Sequence, residues 1–436
     1  MHGLLTDLYE LTMAAGYFQA GKSGEIATFE LSIRKLPPSR SFVVVAGLAQ
    51  VVEYLLSLSF TGEEIDYLRR LPQFARAPAG FFERLRELRF TGDLFAAPEG
   101  TALFAGEPVL TVRAPLMEAQ IPETYLLSSI GFQTLVATKA ARIVEVAAGR
   151  GVVEFGTRRA HSPQAGVLAA RAAYIGGCLG TSNTLAGFRF GIPVYGTAAH
   201  SWVLSFRDEM QSFRELQKLL GPATIYLIDT YDTLAGARRA ASLGPPIWGV
   251  RLDSGDLAEL ARGVRAILNE AGLPEAKIMA SGDLDEYKIS ALVRAEAPID
   301  AFGVGTELVT SADAPTLGAI YKLVELEGGG VRRYTAKFSE DKVTMPGAKQ
   351  VFRYPDRDVI ACASENAPVE TLLRPVILNG TLAEPLPDAR AARERAAQSV
   401  RRLPEACRRL QDAEPYPVEY SAALKALLEE ARRSVE

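Results

Sequence analysis

Between Glu154 and Glu307 one pattern recurs seven times: an apolar run with strand character ends in a short cluster of Gly with Asp, Arg, Thr, Ser or His. The clusters are Glu154-Phe-Gly-Thr-Arg158, Gly180-Thr-Ser-Asn183, Gly196-Thr-Ala-Ala-His-Ser201, Asp229-Thr-Tyr-Asp232, Arg251-Leu-Asp-Ser-Gly-Asp256, Ser281-Gly-Asp-Leu-Asp285 and Gly303-Val-Gly-Thr-Glu307. Helical patterns fit between them at 164–174, 207–220, 233–243, 258–271 and 285–295, roughly one strand–helix unit per 25 residues, near the size of a βα repeat. Such alternation implies an α/β fold: an irregular (β/α) barrel of about seven parallel strands. Parallel strands bring their C-terminal ends to one edge of the sheet, where α/β enzymes keep their chemistry. The seven clusters are therefore expected to meet at one mouth.

The flanking sequence has another character. Residues 6–18 read as a helix, 27–34 and 41–47 as strands, 48–90 as helices with Glu63-Glu64 in a first turn, and 92–115 as short strands. From 117 to 149 the spacing is helical, interrupted at Gly131. After Thr310, residues 319–327 and 331–338 flank Gly328-Gly-Gly330 as a hairpin, and 389–410 and 421–434 read as charged amphipathic helices capping the fold toward solvent. The expected division is an N-terminal α+β domain (1–116), the barrel (117–318), and a C-terminal hairpin and helical region (319–436) that partly packs back on the first.

A chain of 436 residues with 48% hydrophobic content can build two or three cores. Its net charge of −4 argues against a nucleic-acid surface, which needs a basic face. The apolar stretch 42–56 is interrupted by Gly47, Gln50 and Glu53 and is too short to span a bilayer, and the N-terminus lacks the basic lead-in of a secretory signal. Cys178, Cys362 and Cys407 are odd in number and without metal-ligand spacing, which suggests a reducing compartment and buried or inert thiols. A cytoplasmic protein is expected.

Gly16-Tyr-Phe-Gln-Ala-Gly-Lys-Ser23 matches the phosphate-loop expression, but a phosphate loop needs a strand before it and a helix after it. Here the expected order is reversed, so the segment reads as a helix C-terminal turn. The strand-end clusters are better founded. Arg251 can grip an anion with its planar fork, and Asp253 and Asp256 can accept from sugar hydroxyls or hold a Mg²⁺-bound group, although Asp256 also suits the N-cap of the following helix. Glycines in Ser281-Gly-Asp283 and Gly303-Val-Gly-Thr306 let backbone N–H groups approach a phosphate at the late-strand position. The chain has only three histidines, and His200 alone falls in a strand-end cluster, where an imidazole can act as base, acid or nucleophile toward phosphorus. Of Arg158 and Arg159, one is expected to meet an anionic ligand and the other to pair with an acid at the rim. Phe155 can stack on a flat ring or belong to the core.

Taken in order, these motifs resemble the nicotinate phosphoribosyltransferase family over nearly the whole chain. The segments that carry the resemblance are Leu5-Thr-Asp-Leu-Tyr-Glu-Leu-Thr-Met13, Glu154-Phe-Gly-Thr-Arg-Arg-Ala160, Gly180-Thr-Ser-Asn-Thr184, Gly196-Thr-Ala-Ala-His-Ser201, Gly249-Val-Arg-Leu-Asp-Ser-Gly-Asp256, Phe302-Gly-Val-Gly-Thr306 and Pro346-Gly-Ala-Lys-Gln-Val351. The resemblance implies a type II phosphoribosyltransferase fold that joins nicotinate to phosphoribosyl pyrophosphate. The products are nicotinate mononucleotide and pyrophosphate, with Mg²⁺ required and ATP consumed as co-substrate, in a step of NAD salvage. It implies that His200 is phosphorylated by ATP, that Arg158 and Arg251 surround the ring and pyrophosphate, and that Asp253 is an acid of the same site. Gly282, Asp283, Gly305 and Thr306 match binders of the ribose and its phosphate, with Thr181, Ser182, Ser201, Ser281 and Gly303 completing the substrate set. Mg²⁺ is expected to arrive on pyrophosphate, with Asp253 or Asp256 as possible ligands. Tyr9 matches an aromatic that stacks on the pyridine in the partner subunit's site, opposite Phe155, which implies a homodimer with shared sites.

The alternative within the class is a nicotinamide enzyme. That relative carries an Asp where this chain has Thr181-Ser-Asn183, and an Asp would accept from an amide but repel a carboxylate. A phosphosugar sensor would have no use for a nucleophilic His, quinolinate phosphoribosyltransferase is a further relative, and a barrel aldolase is disfavoured because no Lys stands at the seven strand ends.

Overall fold

A computed structural model describes residues 3–339 and 343–434. The chain forms two compact units, one of residues 1–135, 316–387 and 402–436, the other of residues 136–315 and 388–401.

In the first unit a seven-stranded antiparallel sheet runs in the order Val331–Tyr334, Gly318–Gly328, Ile26–Lys35, Pro108–Pro115, Asp93–Ala96, Arg374–Leu378, Thr381–Leu382. The interior strand Ile26–Lys35 buries Ala27, Phe29, Leu31 and Ile33, and the Phe29 ring stacks on Tyr321 of the neighbouring strand at 4.9 Å. Helices Leu8–Gln19, Leu48–Ser57, Gly62–Arg70 and Ala79–Glu87 contribute to the same core. The Gly62–Arg70 helix opens on a reciprocal cap between Thr61 and Glu64, the first-turn role expected of that acidic pair. A second sheet orders Glu370–Thr371, Lys349–Arg353, Asp358–Cys362 and Val418–Tyr420.

Three local expectations differ. Of the strand expected at 41–47 only Val43–Val44 pairs, with Ala102–Leu103. The helix expected to break at Gly131 instead runs unbroken over Glu123–Val146, and the interruption falls before it, between Gln120 and Glu123 at Ile121-Pro122. Proline lacks the N–H that a helix interior requires, whereas an interior glycine costs only about 1 kcal/mol. Pro404 likewise separates helix Ala389–Arg402 from Glu405–Arg408. The hairpin at 328–330 forms as expected, with Gly329 and Gly330 both at positive φ. Helix Leu8–Gln19 runs into the turn at Gly21 and then the strand from Ile26, so the phosphate-loop look-alike has the reversed order anticipated.

The second unit is built on six parallel strands. They are, in chain order, Gly151–Glu154, Gly180–Thr181, Ile225–Leu227, Gly249–Leu252, Lys277–Ala280 and Ala301–Val304. Their order in the sheet is second, first, sixth, fifth, fourth, third. Outside the second strand, Val194 adds one parallel bridge to Thr181, and that single residue is what remains of the seventh expected strand. Gly191, Pro193 and Gly196 bracket it, and proline cannot donate to a ladder. Helices Pro163–Ile175, Glu209–Leu220, Thr233–Ser242, Leu257–Glu270 and Glu286–Arg294 fall where the spacing put them. Ser162, Asp208, Asp232, Asp256 and Asp285 cap them through side-chain oxygens, which fixes where each strand-end loop stops.

Helix Ala389–Arg402 is more than a solvated cap. It buries Ala389, Ala392, Ala396 and Val400, while Arg393 donates to the Gly177 and Cys178 carbonyls and covers the Tyr174 ring. Among the described residues no helix is long and apolar enough to cross a membrane. All three cysteines are free, and burial pushes each thiol pKa up, which keeps thiolate scarce.

Candidate functional site

The strand ends of the second unit enclose a cavity of about 750 Å³, lined by residues from five of the six strand-end loops and from the 194–200 segment. The first strand ends at Glu154, which is not itself among the residues lining the cavity floor. This carboxylate is fully buried, accepts from the Gly156 N–H and the Thr181 hydroxyl, and is raised in pKa by that burial. It holds the first loop to the second. Beyond it the chain turns at Gly156 into a 3₁₀ helix, Thr157–Arg159. That tight turn, rather than extended strand, lets Arg158 and Arg159 both border the cavity. Neither guanidinium has an ion-pair partner among the described residues, so the expectation that one of them pairs with a rim acid is not met. Phe155 lies half-buried over Gly303, where an added Cβ would come within 2.5 Å of its ring.

His200 opens the helix His200–Leu204 and turns its imidazole toward two other loops. Nδ1 lies 3.1 Å from the Thr230 hydroxyl, and Nε2 lies 4.0 Å from Asp229 Oδ1 and 3.9 Å from Asp253 Oδ2. Asp229 Oδ2 accepts from the Asp253 N–H at 3.1 Å and the Ser254 hydroxyl at 2.7 Å, whereas its buried Oδ1 has no hydrogen-bond partner. The imidazole is thus set between two carboxylates and fixed at its other nitrogen by the Thr230 hydroxyl.

Arg251 reaches across the same floor. Its Nη1 donates to the Thr197 hydroxyl, its Nη2 donates to Asp253 Oδ1 at 3.4 Å, and its buried Nε is unpartnered. Burial pulls its pKa below the ordinary guanidinium value while Asp253 and Asp229 oppose that shift, so it stays charged. Asp253 also accepts from the Ser281 hydroxyl at 2.5 Å. The fifth and sixth loops follow side by side, with Ser281, Gly282, Asp283, Gly303, Gly305 and Thr306 on the wall. Gly282 sits at φ 93°, and a Cβ there would meet the Asp253 carbonyl at 2.0 Å.

The cavity thus gathers His200, Arg251, Asp253, Phe155, Arg158, Ser182, Ser281, Gly282, Asp283, Gly303, Gly305 and Thr306. Four residues singled out in the sequence lie elsewhere. Thr181 is buried behind the wall as the partner of Glu154, Ser201 is exposed beyond His200, and Asp256 spends its carboxylate on the N–H groups of Ala258 and Glu259. Tyr9 lies on helix Leu8–Gln19 of the first unit and is exposed. Sequence reasoning passed over Asp229 and Thr230, which meet His200, and Thr184, Tyr195 and Thr197, which line the cavity. Asp229 had a signal: in Asp229-Thr-Tyr-Asp232 the second acid serves as the helix cap, which leaves the first for the mouth.

Comparison with known proteins places the chain in a family. Family models described as the nicotinate phosphoribosyltransferase N-terminal domain, the nicotinate phosphoribosyltransferase family and the C-terminal domain match residues 4–131, 151–330 and 336–428. The chain is 46% identical to the nicotinate phosphoribosyltransferase pncB2 of Mycobacterium tuberculosis, over 96% of this chain and 91% of that protein. It is 40% identical to the nicotinate phosphoribosyltransferase of Bacillus subtilis, over 96% and 92%. The crystal structure of human nicotinic acid phosphoribosyltransferase superposes with a TM-score of 0.85 at 31% identity, over 98% of this chain and 99% of that one. Matched from end to end by these models, and with an imidazole, acids and arginines gathered at one barrel mouth, the chain belongs to the nicotinate phosphoribosyltransferase family.

Proposed function

We propose that this cavity joins nicotinate to phosphoribosyl pyrophosphate, releasing nicotinate mononucleotide and pyrophosphate, with ATP hydrolysed through phosphorylation of His200. The observation that carries the reading is the imidazole of His200 set between Asp229 and Asp253 in a cavity that also holds three arginines. Arg158 and Arg159, free of protein acids, suit the carboxylate of the ring and the phosphate oxygens, and Phe155 offers the ring a face. Gly282, Asp283, Gly303, Gly305 and Thr306 cradle the ribose and its 5′-phosphate. Arg251 faces the pyrophosphate.

As pyrophosphate departs, the anomeric carbon gains oxocarbenium character and the pyridine nitrogen attacks from the opposite side. Arg251 stabilises the leaving anion, and Asp253 and Asp229 face the positive charge that develops on the sugar or on the imidazole. A phosphoryl group on His200 adds negative charge beside the ribose, which favours binding of the magnesium salt of the substrate. Mg²⁺ bound with that substrate would supply neutralising charge for the departing phosphates; Asp229 Oδ1, which has no hydrogen-bond partner, and Asp253 would offer it oxygen ligands, whereas Asp256 is committed to capping.

The active species is proposed as a homodimer with shared sites, Tyr9 entering the partner's cavity opposite Phe155. Leu5, Leu8, Tyr9 and Met13 leave large apolar side chains exposed near the start of the chain, which supports a covered surface there.

The test is incubation with phosphoribosyl pyrophosphate, Mg²⁺ and nicotinate or nicotinamide, with and without ATP. The expected outcome is a mononucleotide from nicotinate, stimulated by ATP, and loss of that stimulation together with acid-labile phosphate in His200→Ala. ATP stimulation surviving in His200→Ala would refute the role of His200.

A further inference from the structure

A largely buried ionic network stands apart from the residues that line the cavity. Lys139, on helix Glu123–Val146, is 1% exposed, and its Nζ stands 2.6 Å from Glu286 Oε2 and 2.8 Å from Asp313 Oδ1. One turn on, Arg142 Nε donates to Glu286 Oε1 at 3.1 Å. Glu286 is fully buried in the first turn of the helix entered from Ser281-Gly-Asp283. Asp313 lies in the turn that follows the helix begun by Thr306. One ammonium group therefore ties together the elements behind both loops assigned to the ribose phosphate.

We infer that Lys139 is a positioning residue for the 5′-phosphate of phosphoribosyl pyrophosphate, acting through Glu286 and Asp313 to hold the fifth- and sixth-strand loops at one spacing. The inference rests on the cradle assignment above. A buried ion pair adds little net stability over an apolar replacement, but removing one partner takes a compensating charge from the others. Without Lys139, Glu286 retains Arg142, while the ammonium that bridges Glu286 and Asp313 is gone, which loosens the elements behind the two loops although their strands stay paired. A phosphate bound by converging N–H groups is sensitive to such slack, because a small misplacement of its donors costs binding. The pyridine pocket, built on the first two loops, includes none of Lys139, Glu286 and Asp313.

The experiment measures KM for each substrate, together with binding of ribose 5-phosphate, in Lys139→Met, Asp313→Asn and Thr306→Ala, with folding followed by circular dichroism. Lys139→Met is expected to raise KM for phosphoribosyl pyrophosphate and weaken ribose 5-phosphate about tenfold, about 1.4 kcal/mol, while KM for nicotinate stays within about twofold. Asp313→Asn is expected to move the same two quantities by a smaller factor, about threefold. A purely structural role would lower the melting temperature without separating the two substrates. If Thr306→Ala weakens ribose 5-phosphate but folded Lys139→Met and Asp313→Asn do not, the inference is overturned and the cradle stands. If Thr306→Ala changes nothing, the cradle assignment falls and the inference with it. Should Lys139→Met fail to fold, Asp313→Asn decides by the same criterion, since its partly exposed side chain tolerates the change.

Discussion

Ser182 is the residue on which the choice of pyridine turns. It lines the cavity at the end of the second strand, across the first loop from Arg158 and Arg159, and it brings no charge of its own. A carboxylate there would repel nicotinate and accept from the amide of nicotinamide. Ser182→Asp is therefore expected to raise KM for nicotinate by about tenfold or more and to improve turnover of nicotinamide, read as the ratio of the two kcat/KM values. An unchanged ratio would take Ser182 out of the ring pocket. At this scale the sequence was legible wherever a side chain's place in the cavity follows from its strand-end cluster, as for His200, Arg251 and Asp253. It was illegible where a loop's local geometry decides. A 3₁₀ turn aims both Arg158 and Arg159 at the cavity, and a neighbouring buried acid recruits Thr181 away from it.

Elements obey a plainer logic. Helix starts were readable because an Asp or Ser at the cap satisfies N–H groups that would otherwise go unpaired. The long helix ignored its glycine and began only after Pro122, and the strand expected before His200 shrank to one bridge, again beside a proline. Loop packing sets a further constraint at Gly282, whose positive φ and contact with the Asp253 carbonyl leave no room for a methyl group. Gly282→Ala is expected to push the fourth- and fifth-strand loops apart, destabilise the fold by at least about 1 kcal/mol and raise KM for phosphoribosyl pyrophosphate. Thermal melts and kinetics read both. A variant with unaltered melting and KM would show that the two loops are not held in this contact.

For the molecule as a whole, the decisive proposal is that each cavity borrows Tyr9 from a partner. Mixed dimers of Tyr9→Ala and His200→Ala would then carry one intact and one doubly damaged site, so two nearly inactive preparations, mixed and reassembled, should regain about a quarter of wild-type activity. No recovery on subunit exchange would refute shared sites. The first unit draws on three separated stretches of chain, and this was only partly legible in the sequence, because antiparallel pairing across some three hundred residues leaves no local periodic signal. It also has a consequence for biosynthesis. The strand Ile26–Lys35 lies between Pro108–Pro115, which is made early, and Gly318–Gly328, which is made after the entire barrel. While translation proceeds, one margin of that apolar ribbon stays unzipped, a template for misassociation with any other nascent chain nearby. The ribosome must finish all six parallel strands before the sheet can seal, which makes the emerging N-terminal third the segment most in need of chaperone cover.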